Sequence, residues 1–173
     1  MIWFEELQTR KKLSRIYAAY ETTFPADERR DEDQFLALLE NPDSFIYAVK
    51  NDENHVGYVI LWKLETCYYL EHFEVFEEFR NLKLGSHILT ELQQKFNNIL
   101  LESEPSHLDE IAGRRINFYL RNGFSIISED YIQPSYGPGK NSMNLFLLSN
   151  FAVKDVKNLE EELYSKVYGV KKP

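Results

Sequence analysis

In the segment from Leu70 to Leu89, an apolar run ends at Val75, a short stretch carries Arg80 and Lys83, and a helical pattern begins around Leu84-Gly85-Ser86. A strand-to-helix turn presents unpaired N–H groups and a partial positive charge, which suits phosphate oxygens. Arg80 and Lys83 add full positive charges there, against the acidic trend of the chain. Many such turns hold a basic residue for solvation alone, so the turn by itself does not establish a phosphate site. A second segment, Arg114 to Phe124, closes a helix with Tyr119 four residues before Gly123-Phe124. A packed core tyrosine is the plain reading of Tyr119 taken alone. Metal chemistry finds little support. Cys67 is the single cysteine, which excludes a multi-cysteine zinc site and an internal disulfide, and His87 and His107 stand alone.

Around these segments the chain reads as one α/β domain. Its 173 residues suit one domain better than two, and 43% hydrophobic content fills a core. The net charge of −8 argues against nucleic-acid binding, which needs a basic stripe, and favours a cationic partner such as an amine. No apolar run approaches the roughly 20 residues that span a bilayer, and no signal-peptide pattern opens the sequence, so a cytoplasmic protein is expected. Residues 2–5 suit a strand, and apolar positions from Leu7 to Tyr20 and from Asp31 to Glu40 recur at helical spacing. Ser44–Lys50, His55–Leu64 and Cys67–Val75 predict an antiparallel meander. Val56, Tyr58, Ile60 and Trp62 are expected on one face, Val59 and Leu61 on the other, with helices covering both. A helix over 83–97, a strand over 98–104 and a helix over 111–121 follow, then strands over 124–132 and 142–148 and a helix from Ala152 to Tyr168. The strand–helix–strand step at 67–104 predicts a parallel, right-handed crossover.

Together the two segments resemble the GNAT N-acetyltransferase superfamily. Its acetyl-CoA loop, Arg/Gln-x-x-Gly-x-Gly/Ala after a valine-ending strand, has its counterpart in Arg80-Asn81-Leu82-Lys83-Leu84-Gly85 after Val75. Its second signature, a tyrosine before Gly-Phe, matches Tyr119, Gly123 and Phe124. The element order agrees from about residue 2 to 149. The resemblance implies a mixed, mostly antiparallel sheet with a splayed parallel pair and helices on both faces. Residues 1–150 would form the acetyltransferase domain and 151–173 a helical extension of it. The reaction implied is direct transfer of an acetyl group from acetyl-CoA to a primary amine of a small molecule or protein, with no metal. The cofactor would lie along Phe73, Val75, Arg80, Lys83, Leu84, Gly85 and Ser86, with Asn117 beside it. Tyr119 would protonate the leaving thiolate, and a backbone N–H of the valine-ending strand would meet the developing oxyanion.

Glu71 is the candidate base. Strand alternation puts it on the face of Tyr69, Phe73 and Val75, with His72 opposite; an edge or substrate-orienting carboxylate is the equal alternative. Glu28, Glu104 and Tyr136 suit a cationic acceptor, although Glu28 and Glu104 taken singly read as well as surface or capping carboxylates. Lys83 replaces the first family glycine, and an ordinary negative φ in the first helical turn is expected for it. The alternative function is a weakly catalytic or inactive acyl-CoA-binding or interaction module of the same fold. The C-terminal helix is expected to dock on its own domain, with a homodimer contact as the other reading.

Overall fold

The computed structural model describes residues 1–173. Seven strands form one sheet: β1 (Ile2–Glu6), β2 (Ser44–Asn51), β3 (Asn54–Lys63), β4 (Tyr68–Val75), β5 (Ile99–Ser103), β6 (Ser125–Gln133) and β7 (Met143–Ser149), in the order β1-β2-β3-β4-β5-β7-β6. Every neighbouring pair is antiparallel except β4 and β5. That parallel pair is joined through α3 (Leu84–Phe96), the crossover helix. The expected mixed sheet and its parallel step are therefore present.

Helices α1 (Ser14–Thr23), α2 (Glu32–Ala37) and α5 (Val156–Glu162) cover one face, which holds Tyr20, Phe35, Ile60, Trp62, Leu147 and Leu163 in its core. Helices α3 and α4 (Glu110–Arg121) cover the other, burying Val59, Leu61, Ile88, Leu92 and Ile116. Asp109 caps α4 at Ala112 N, 2.7 Å away, and Asp155 caps α5 at Asn158 N, 3.0 Å away. No side chain caps the N-terminus of α3. The last turns of the C-terminal helix, Leu163–Val167, widen into a π-helix, with Leu163, Tyr164 and Val167 buried in the main core. The extension thus docks on its own chain.

Two β-bulges change which side chains share a face. In β3, Val49 pairs with Gly57 and Lys50 with His55, so Val56 is the extra residue. Val56 consequently packs on the α3/α4 face, not with Tyr58, Ile60 and Trp62 as alternation predicts. In β4, Ile60 pairs with His72 and Leu61 with Leu70, which leaves Glu71 as the extra residue. Strict alternation fails at that step. Glu71 and His72 both turn toward α1 and α2, whereas Phe73 and Val75 pack on the α3/α4 side. The expectation that Glu71 shares a face with Phe73 and Val75, with His72 opposite, is corrected by this bulge.

Candidate active site

The β4–β5 pairing runs only from Tyr68↔Ile99 to Leu70↔Leu101, although β4 continues to Val75 and β5 to Ser103. Beyond that point the strands part, and a cavity of about 270 Å³ opens between them. Its walls are the end of β4 (Leu70–Val75), the end of β5 (Glu102–Glu104), Arg115 and Tyr119 of α4, Phe24 and Glu28 between α1 and α2, and Gln133 and Tyr136 of the last hairpin. The structure thus gathers Glu28, Glu71, Phe73, Val75, Arg80, Glu104, Tyr119 and Tyr136 around one cavity. Lys83, Leu84 and Gly85 line an adjoining hollow with Val75 and Arg80. Ser86 follows, half-buried, in the first turn of α3, while Asn117 is exposed on α4 outside both hollows.

The electrostatics follow from which charges are matched. The Glu71 carboxylate accepts from Arg30 Nε at 3.0 Å, Trp62 Nε1 at 2.8 Å and the Tyr136 hydroxyl at 2.9 Å. Burial alone would push its carboxyl up, but the Arg30 guanidinium overrides burial and holds it below the ordinary carboxylate value. Arg80 lies 3.5 Å from Glu74, and Arg115 lies 2.8 Å from Glu104. Glu28 and Glu102 line the same cavity without such a cation, and burial raises both, Glu102 to about 7.

His72 sits edge-on to Tyr20 and Phe24, and its Nε2 lies 2.9 Å from the Glu28 carbonyl. A carbonyl only accepts, so Nε2 carries the proton and Nδ1 presents a lone pair. Burial lowers its pKa, so the ring is neutral at neutral pH. Four buried polar atoms with no protein partner, His72 Nδ1, Glu74 Oε2, Ser103 Oγ and Gln133 Nε2, belong to residues of this cavity. Buried polar groups are normally satisfied, so this concentration suits a polar ligand.

Tyr119 is fixed by its ring, which meets Phe118 and Phe124 edge-on with centroids 5.4 and 5.8 Å away. Burial raises its pKa, so the hydroxyl keeps its proton at neutral pH. At the adjoining turn, Asn81 and Lys83 adopt left-handed backbone, with φ of 65° and 59°. The negative φ expected for Lys83 is thereby corrected: the turn into α3 demands the left-handed conformation that glycine adopts freely, and lysine adopts it under strain. A Cβ at Gly85 would meet the Phe118 ring at 3.2 Å, so this glycine lets α3 and α4 approach closely. Arg80 Nε donates to the Val75 carbonyl at 3.1 Å, which ties the guanidinium to the strand end.

The segments Phe24–Arg30, Leu101–Pro105 and Tyr131–Tyr136 are legible as borders of an acceptor cleft, but within them sequence reasoning did not single out Arg30, Glu102 or Gln133, and it missed Tyr168 altogether. Glu102 had a signal, being the carboxylate that ends the apolar run Ile99-Leu100-Leu101 while still within the strand. Tyr168 had none, because the chain brings it in from 66 residues after Glu102, and nothing local pairs Arg30 with Glu71, 41 residues on.

Comparison with known proteins bears on this site. The Acetyltransferase (GNAT) family matches residues 12–124 of the sequence. A protein from Bacteroides thetaiotaomicron described as an acetyltransferase of the GNAT family superposes with a TM-score of 0.89 at 28% identity, over 98% of this chain and 99% of that one. A GNAT family acetyltransferase from Elizabethkingia anophelis with acetyl-CoA bound shares the fold, with a TM-score of 0.60 at 16% identity over 86% of this chain and 96% of its own. The ribosomal-protein-S18-alanine N-acetyltransferase from Escherichia coli does so with a TM-score of 0.59 at 16% identity, over 90% and 98%. Among curated proteins no sequence match is found.

Proposed function

Because the chain belongs to the GNAT acetyltransferase family, we propose that it moves the acetyl group of acetyl-CoA directly onto a primary amine of a small molecule or protein. The observation that carries this reading is the cavity where β4 and β5 part, which sets the free Tyr119 hydroxyl among carboxylates. The residues present fit acetyl-CoA. The uncapped first turn of α3, with Leu84, Gly85 and Ser86, offers backbone N–H groups to a diphosphate, and Arg80 and Lys83 add positive charge. The released end of β4 at Phe73 and Val75 leads from that turn into the cavity, while Asn117 lies on α4 outside both hollows.

An amine must lose a proton before it attacks, and the departing thiolate must gain one. Tyr119 supplies the second proton. Glu71, whose oxygens hold three donors, serves as a fixed negative charge that orients Arg30 and Tyr136. Glu28, which has no ion-pair partner, makes the acceptor side attractive to an ammonium, whereas the Glu104 charge is matched by Arg115 at 2.8 Å. The Escherichia coli protein that shares the fold is named for acetylating an alanine of a ribosomal protein. The reading treats residues 1–150 as the acetyltransferase domain and 151–173 as its extension, and it places the protein in the cytoplasm. No helix is long and apolar enough to cross a membrane.

The strained Lys83 turn favours a second reading, a weakly catalytic or inactive acyl-CoA-binding module. One screen separates them: thiol release from acetyl-CoA across a polyamine, an aminoglycoside, an amino acid and a peptide amine. The proposal expects release that depends on one of these amines. CoA binding without amine-dependent release selects the second reading.

A further inference from the structure

Two segments that wall the cavity are the α1–α2 connection, with Phe24 and Glu28, and the last hairpin, with Gln133 and Tyr136. Just outside the cavity these walls are joined to each other. Asn141 gives Asp27 two hydrogen bonds, from its backbone N–H and from its side-chain amide, each 2.9 Å. Lys140 Nζ donates to the Arg29 carbonyl at 2.6 Å and pairs with Asp31 at 2.8 Å. Gln34 Nε2 donates to the Tyr136 carbonyl at 2.6 Å. On the cavity side, the Tyr136 hydroxyl donates to Glu71 at 2.9 Å, so the hairpin loop is also tied to β4.

We propose that this junction fixes the acceptor class: the protein acetylates small free amines, and the joined walls exclude amines carried on a polypeptide. This rests on the acetyltransferase reading and narrows its acceptor. A polypeptide laid in a cleft keeps neighbouring backbone about 4.7–4.9 Å away on each side, so a cleft that takes one is roughly 9–10 Å wide. Here residues 27–34 and 136–141 meet at 2.6–2.9 Å, and a chain cannot pass between them while these contacts hold. The cavity reaches solvent instead at its partly exposed lining residues. Thr23 and Arg80 mark the end nearest the turn into α3, and Glu28, Glu104 and Arg115 mark the other rim.

Size and bracing agree with this. A cavity of about 270 Å³ lies below the roughly 300–1,000 Å³ of sites for drug-sized ligands, and the acetyl end of acetyl-CoA must share it. The room left suits an amine of a few carbons. A lone exposed ion pair would open readily, but this junction is held by five contacts from three hairpin residues to four on the connection and α2. Each side is braced within itself. Asp31 is the N-cap of α2, and its N–H donates to Gln34 Oε1 at 2.9 Å, so both α2 residues of the junction are set by the helix start. Arg29 Nε donates to the Phe24 carbonyl at 3.0 Å, and on the hairpin Ser135 Oγ accepts from the Gly137 N–H at 3.1 Å. The Lys140 side chain is only 10% exposed, so water screens its pair with Asp31 less than it would an open surface pair.

The test has two arms on the full chain. Thiol release from acetyl-CoA is measured with ethanolamine, putrescine and free lysine, with a short peptide carrying a free α-amine, and with a capped peptide carrying one lysine. The wild type should favour its best small amine over both peptides by more than about tenfold in kcat/KM. The double variant Asp27→Ala, Lys140→Ala removes contacts outside the cavity and should raise the peptide-to-small-amine ratio by more than about threefold, with the acetyl-CoA KM unchanged. Asp27→Asn keeps an oxygen that accepts from the Asn141 N–H, and its ratio should stay near the wild type's. In the second arm, NMR follows hydrogen exchange at the Asn141 N–H. It should be slow in the wild type, with and without amine, and quicken by more than about tenfold in Asp27→Ala. Three results overturn the inference: a wild type that acetylates either peptide within about tenfold of its best small amine, a double variant whose ratio stays within about threefold of the wild type's, or an Asn141 N–H that exchanges as fast in the wild type as in Asp27→Ala. A wild type that acetylates none of these amines overturns the acetyltransferase reading as well. Transfer to peptides and small amines alike leaves that reading standing and overturns the acceptor class alone.

Discussion

Tyr119 is held by two phenylalanine rings while its hydroxyl has no protein partner, so removing the oxygen should leave the packing intact. Tyr119→Phe is expected to lower kcat by ~10²–10⁴-fold with little change in the acetyl-CoA KM, as steady-state kinetics would read; a loss below about tenfold would make it a packing residue. Lys83 offers a second test. Its φ of 59° costs lysine roughly 1–2 kcal/mol, against ~0.5–1 kcal/mol of extra chain entropy lost by glycine. Lys83→Gly should therefore stabilise the protein by up to about 1.5 kcal/mol in urea denaturation, and CoA binding should become less sensitive to salt. From sequence, a lysine beside a helix start argues for negative φ, and only the geometry of the turn reverses the sign. Tyr119 and the Arg80–Ser86 turn were legible because each lies in a short local pattern. Glu102 was not singled out, since its partners come from β4, β6 and the far end of the chain.

Arg30 joins elements that no local pattern connects. It leaves the α1–α2 connection, pairs with Glu71 of β4 at 2.9 Å, donates to the Val167 carbonyl at 2.9 Å, and lies 5.3 Å from the Trp62 ring. Arg30→Met should destabilise the fold by about 3–5 kcal/mol in urea, because the Glu71 charge would stay buried without its partner. The two carboxylates at the strand divergence should also respond to pH with opposite signs. The Glu71 carboxyl is held down in the folded state, so its contribution is present above the unfolded value and is lost as pH falls. The Glu102 carboxyl is raised, so its contribution is present below the unfolded value and is lost as pH rises through about 7. Glu102→Gln should accordingly melt higher than the wild type at about pH 8, with the gap closing near about pH 5. The strands themselves were legible from alternation, but the bulges at Val56 and Glu71 were not, because a bulge is set by how partner strands pair. One inserted residue was enough to bring Glu71 and His72 to the same side.

Across the whole molecule, a parallel pair that stays joined for only part of its length inside an antiparallel sheet opens the cavity without a separate lid or domain. The crossover order was readable from the sequence, since a strand, helix and strand at 67–104 have one favoured hand. The C-terminal helix was readable as an element, but its part in the site was not, because Tyr168 reaches Glu102 only after the π-helical turn docks on the core. An acidic chain of net charge −8, with cavity carboxylates free of arginine partners, should draw cationic acceptors, and salt should weaken that attraction. In the proposed reaction acetyl passes from CoA to an amine in one step within this cavity. A single-turnover reaction of the protein with acetyl-CoA and its best amine, quenched over time and read by mass spectrometry, tests that directly. Acetylated amine should appear in equal amount to free CoA while the protein's own mass stays unchanged; an acetylated protein preceding the product, or CoA released without acetylated amine, would contradict it.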